Sequence, residues 1–204
     1  MIQSETERTK WNDRRFSFCK LPIAFPKVYR FSQSWAFRFQ LFDKKEIKNI
    51  SVIDATSHIG GNTIPLGLNG FNVIAIEINE NIYNLLNMNI KLYKLKIKTI
   101  CEDFINFIPK IKHDVVFIDA PWGGTSYKKI DKLDLYLSNI NLVDITNKLK
   151  NKTKVIILKV PFNYNLQSFI KKNNFSRILQ LFSLERYYLI ILIDESLKLL
   201  NFTL

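Results

Sequence analysis

The residues of this chain best suited to chemistry are a set of acids that each follow an apolar run, and one aromatic loop. Asp54 closes "SVIDAT", Glu77 closes "FNVIAIEI", and Asp103 closes "KIKTICED". A fourth run, "HDVVFIDA", leads into "VFIDAPWGGTSY", Val116 to Tyr127. Acids at such exits accept hydrogen bonds from hydroxyl and amino groups. Glu77 lies about twenty residues after the Gly60-Gly61 turn, where an acid can meet ribose hydroxyls. Asp103 can accept from an adenine amino group, and Phe104 can flank the ring. The aromatic loop suits a different partner, an amine on a flat base. Such an amine is a poor nucleophile because its lone pair is delocalised into the ring. Asp119 and the carbonyl of Ala120 or Pro121 can take its two hydrogens, pyramidalise the nitrogen and aim its lone pair. Pro121 removes a donor and stiffens the loop, and Trp122 can stack on the base, worth about 1–3 kcal/mol. No strong base is needed; the contribution is orientation.

The elements that position these residues alternate. Ser51–Thr56, Phe71–Ile78, Lys96–Asp103, His113–Ala120 and Lys154–Val160 read as short buried strands rich in Val and Ile. Between them stand helix-like spacers: "NTIPLGLNG", "NENIYNLLNMNIKLYK", "INFIPKIK" and "IDKLDLYLSNINLVDITNKLKN". The last places Leu133, Leu137, Ile140 and Val143 at helical spacing. A further helix is expected around Ala36, Phe37, Leu41 and Phe42, capped by Ser32 or Ser34. Strand–helix alternation implies a parallel sheet. "FSRILQLFSL" and "YYLIILID", separated by Glu185-Arg186, imply an antiparallel hairpin at the end. The expected fold is α/β: a Rossmann-like class I methyltransferase, with a seven-stranded, mainly parallel sheet, a C-terminal antiparallel hairpin and helices on both faces. Residues 1–28 read as an irregular basic arm and 29–204 as the domain. Ligands of such sheets bind beyond the carboxyl ends of the strands. With three acids there, Gly60-Gly61 and no G-x-G-x-x-G, S-adenosylmethionine (SAM) is favoured over a dinucleotide.

Composition bounds the rest. A net charge of +12 points to phosphate-rich partners. Two cysteines, Cys19 and Cys101, and two histidines, His58 and His113, leave no disulfide framework and no expected metal site. The polar start "MIQSETERTKWNDRRF" is no signal peptide, and no apolar run is long enough to span a bilayer. A monomer inside the cell, in nucleus or cytoplasm, is expected, with no membrane partner. Lys128-Lys129 and Lys171-Lys172 read as solvated faces.

"DAPWGGTSY" resembles the S/D-P-P-W-G-G-x-x-Y signature of trimethylguanosine synthases, the RNA cap guanine-N2 methyltransferases. "DATSHIGGNTI" is similar to that family's D-A-F-x-G-x-G-G-N-T-I loop, "YRFSQSWAF" to its W-F-S-V-T-P-E segment, and "VPFNYNLQSF" to its L-P-R-N stretch. The resemblance covers Tyr29 to about Leu166. It implies that Asp54, Thr56, Gly60, Gly61, Asn62, Thr63, Glu77, Asp103 and Phe104 hold SAM. It implies that Trp122 stacks on a 7-methylguanine, which is cationic and so gains a cation–π term. Tyr127, Phe31, Ser32 and Asn163 would border the substrate, a capped RNA.

The chain departs from the family at four places. Ala120 replaces the first proline, and His58 a glycine of the cofactor loop. Trp35 and Ala36 stand at the upstream Pro-Glu. Phe162 stands at the arginine of L-P-R-N, where Lys159, Lys27 or Arg30 could replace the phosphate contact. Two other readings stand beside cap methylation. One is an exocyclic-amine methyltransferase acting on internal guanine or adenine, which must be flipped out. The other is an inactive accessory subunit that binds RNA or a capping partner.

Overall fold

In the computed structural model, residues 47–174, 178–183 and 187–194 are described. The arm, the expected helix around Phe37, and the candidate residues Phe31 and Ser32 lie outside them. Seven strands form one sheet in the order β3-β2-β1-β4-β7-β9-β8. They are β1 (Ser51–Asp54), β2 (Asn72–Glu77), β3 (Lys98–Cys101), β4 (His113–Ile118), β7 (Thr153–Pro161), β8 (Ile178–Ser183) and β9 (Tyr187–Ile193). The strands β3, β2, β1, β4 and β7 pair in parallel, so their carboxyl ends share one edge. The expected fold class is the one found. Of the final hairpin only β9 runs against the sheet, inserted between β7 and β8.

Among the described residues, five helices flank the strands: α1 (Thr63–Leu68), α2 (Glu80–Leu92), α3 (Phe104–Phe107), α4 (Leu142–Lys148) and α5 (Leu166–Lys172). Four of them start on a side chain that accepts a backbone N–H: Asn79, Asp103, Asn141 and Asn165. Such caps satisfy donors that a helix start leaves orphaned. The sheet is buried on both faces. Ile53, Ile76, Val116, Ile118, Ile156 and Leu158 pack with Phe104, Phe107, Leu142 and Phe169 on one. Val52, Val73, Val115, Phe117 and Ile157 pack with Leu66 and Phe71 on the other.

The spacer after β4 differs from expectation. Only Leu142–Lys148 is helical. Leu133, Leu135 and Leu137 are buried while Asp134 and Tyr136 are exposed, a period of two rather than 3.6. Tyr136–Leu137 (β5) and Ile140–Asn141 (β6) form a two-stranded hairpin. Its turn residues, Ser138 and Asn139, have φ of 47° and 65°, the pair of positive angles that a two-residue hairpin turn demands. Leu133 bridges to Tyr164, so this insert sits against the carboxyl end of β7.

Candidate active site

Asp54 ends β1 fully buried. Its carboxylate accepts from Thr63 Oγ1 at 2.6 Å and from the Thr56 N–H at 3.4 Å. Burial pushes the carboxyl up to about 7, and the nearby charges of Asp119 and Glu77 add to the rise, while the hydrogen bonds oppose it. Thr63 is itself buried, so it positions Asp54 from beneath. Glu77 ends β2. Its two oxygens accept from the backbone N–H groups of His58 (2.8 Å) and Asn79 (2.9 Å), which fixes the carboxylate and ties it to the loop after β1.

That loop keeps its turn despite the histidine. His58 adopts φ of 47°, the left-handed conformation that glycine takes freely and other residues at a cost of about 1–2 kcal/mol. Gly60 follows at φ 99°. A Cβ there would lie 2.9 Å from Ile64 Cδ1 and 3.1 Å from Leu86 Cδ1, so packing as well as backbone angle requires glycine. Asn62 precedes the first residue of α1, beside Gly61. Buried Asn89 of α2 donates to the Ile59 carbonyl at 2.9 Å and holds the loop from behind.

Asp103 caps α3 by accepting from the Ile105 N–H at 2.8 Å. The cap turns Phe104 inward, where it is 3% exposed in the core. Phe104, expected to flank a ligand ring, is thus part of the core cluster. Ile78, directly after Glu77, is a large apolar side chain exposed at this edge, 62% accessible.

The β4 loop completes the edge. Asp119 follows the strand, and its N–H donates to Thr56 Oγ1 at 3.0 Å, joining this loop to the one after β1. Ala120 is buried and Pro121 exposed. Trp122 is half-buried and meets Tyr127 edge-on, with ring centres 5.3 Å apart. Gly123 and Gly124 have φ of 88° and 68°, and no atom lies within 4 Å of where a Cβ would stand on either. They open space next to the tryptophan. Asn163 clamps the loop: its amide nitrogen donates to the carbonyls of Tyr127 (2.7 Å) and Ile130 (2.6 Å).

Sequence reasoning missed the partner of Asp119. Lys159 of β7 places its Nζ 2.5 Å from Asp119 Oδ2. The sequence offered Lys159 as a replacement phosphate contact; in the structure its ammonium faces the β4 loop. The available signal was a lone charge in the apolar run "VIILKVP". Phe162 instead packs edge-on against Tyr188.

The donor set fits SAM. Asp54, Glu77 and Asp103 offer acceptors and negative charge to hydroxyl, amino and cationic groups. A pyrophosphate would need donors and positive charge in that place. Comparison with known proteins decides the family. Residues 49–187 match the family model described as RNA cap guanine-N2 methyltransferase. The chain belongs to that family.

Among relatives of this chain, an uncharacterized protein of Acanthamoeba polyphaga mimivirus is 32% identical over 131 residues, 61% of this chain and 51% of its own. An uncharacterized RNA methyltransferase of Prochlorococcus marinus is 34% identical over 87 residues, covering 41% of this chain and 21% of its own. The chain thus spans about half or less of these relatives. Among solved structures, a 16S rRNA guanosine-N2 methyltransferase of Thermus thermophilus, in complex with AdoMet and guanosine, superposes with a TM-score of 0.63 at 15% identity. That match covers 88% of this chain and 45% of the other. A Pyrococcus abyssi tRNA (uracil-54, C5)-methyltransferase, in complex with S-adenosyl-L-homocysteine, gives 0.54 at 18% identity, over 82% and 37%. At such identity these likenesses speak for the fold, that of SAM-dependent methyltransferases. Among the described residues no cluster of His, Cys, Asp or Glu could hold a metal ion, and no helix is long and apolar enough to cross a membrane.

Proposed function

We propose that this chain transfers a methyl group to the exocyclic N2 amine of 7-methylguanosine in RNA caps, as the trimethylguanosine synthases it resembles do, and that capped RNA is its partner. The observation that carries this reading is the Asp119–Trp122–Tyr127 cluster, built on the β4 loop directly beside the acid-lined ends of β1 to β3. SAM, when bound, supplies an electrophilic methyl group on a sulfonium. Asp54, Glu77 and Asp103 bind and orient that donor, with Ile78 as an apolar wall. Asp119 Oδ1 and the Ala120 or Pro121 carbonyl accept from the amine and hold its lone pair toward the donor side. Trp122 stacks on the base. Tyr127 keeps the indole in place, and Gly123-Gly124 leave room for the ring. This is catalysis by orientation, which no histidine or metal need assist.

The test is mass spectrometry of m7GTP after incubation with the purified protein and SAM. Gain of one or two methyl groups is the expected result. Trp122→Ala should lower turnover on m7G substrates about ten- to a hundredfold, the worth of one stacked base, while SAM affinity stays within about twofold; normal turnover in that variant refutes the stacking role. A protein that binds RNA but no SAM in calorimetry is an accessory subunit instead. A second reading, methylation of a neutral internal guanine, draws support from one observation. Lys159 already places a positive charge 5.6 Å from the centre of the Trp122 ring. Methylation of uncapped RNA in preference to m7GTP would establish it.

A further inference from the structure

Lys159 stands two residues before the carboxyl end of β7, between the aliphatic Leu158 and Val160. Its Nζ touches Asp119 Oδ2 and lies 5.6 Å from the centre of the Trp122 ring and 5.1 Å from that of Tyr187. The Lys159 and Asp119 side chains are only 25% and 22% exposed, so solvent screens the pair incompletely. Two further ion pairs, Lys110–Glu102 and Lys154–Asp114, involve no residue of the β4 loop.

We propose that Lys159 sets which charge form of guanine the acceptor site prefers, by neutralising Asp119 and holding a positive charge beside the Trp122 ring; this rests on the acceptor reading given above. Guanine alkylated at N7 is a cation, and unmodified guanine is neutral. A cationic base gains from the tryptophan face and from the Asp119 carboxylate. Lys159 offsets both gains, since its ammonium repels the same cation and cancels the field of the carboxylate. A neutral base feels neither effect strongly. The preference of the site is therefore a balance between two side chains, and removing either one tips it in a known direction.

The experiment is calorimetry with m7GTP and with GTP, whose triphosphates are the same and cancel in the affinity ratio. Lys159→Met leaves Asp119 negative, so the m7GTP:GTP ratio should rise on the order of tenfold, the size Coulomb's law gives at an effective dielectric near 20 for charges about 10 Å apart across the indole. Asp119→Asn leaves Lys159 positive and should lower the ratio by about the same factor. Lys159→Arg keeps the charge and should stay within about threefold of wild type. SAM affinity in each variant reports whether the fold survives; should Lys159→Met unfold, the Asp119→Asn and Lys159→Arg arms still carry the sign. A ratio that does not change with these charges overturns the role of Lys159 and leaves the cap reading intact. A wild-type protein that binds neither nucleotide overturns the cap reading itself, and this inference with it.

Discussion

The carboxyl group at the end of β1 is the place to look for a pH response of this site. Burial raises Asp54 to about 7, so the folded chain keeps a proton there that the unfolded chain gives up in the ordinary carboxylate range. The sign follows: stability from this group is fully present below that range and is lost as pH rises toward about 7. A cationic donor reverses the preference, because it favours the ionised form. SAM affinity should therefore increase between about pH 6 and about pH 8, with a proton released on binding. Calorimetry in two buffers of different ionisation enthalpy checks this, and Asp54→Asn should weaken binding and flatten the pH dependence. Gly60 is the other single position on which the cofactor half depends. With φ of 99° and two methyl groups about to collide with any Cβ, Gly60→Ala should cost about 2–3 kcal/mol in thermal unfolding. His58, one turn earlier, already carries a left-handed angle without glycine, held by its bond to Glu77.

The β4 loop is an element with few internal supports. Residues Gly124–Lys129 form a 3-10 turn with no buried side chain, and Asn163 secures it through two carbonyls. Asn163→Ala should remove about 1–2 kcal/mol of stability. It should raise KM for the methyl acceptor without changing SAM affinity, measured by steady-state kinetics beside calorimetry. Asn163 was expected at the substrate from its motif; the structure shows its amide nitrogen holding the loop that carries Tyr127. The strands were legible in the sequence because five short Val- and Ile-rich runs have few other ways to be buried. The insert before α4 was not, because Leu133, Leu137 and Ile140 satisfy helical spacing while Leu133, Leu135 and Leu137 equally satisfy a strand. Only the turn at Ser138-Asn139 separates the two, and neither residue is the glycine that usually marks it.

Over the whole molecule, the acids of the cofactor half were legible because parallel pairing puts every carboxyl end on one edge. The Lys159–Asp119 pair was not, since it joins residues 40 positions apart on neighbouring strands. The charge of +12 makes a separate prediction. RNA affinity should fall steeply with salt, with a log–log slope of about 0.7 for each phosphate engaged on a single strand, while binding of m7GTP should depend on salt far less; filter binding across a salt series measures both. One feature of the sheet reaches beyond the folded state. β9 is made after β8 yet lies between it and β7, along the whole length from Val155 to Pro161. During synthesis, β7 must therefore wait with a bare edge until β9 leaves the ribosome. Such an edge invites pairing with other nascent chains. A chain stopped after Ser183 should accumulate in inclusion bodies, and the rate of translation through residues 161–193 should influence the yield of active protein.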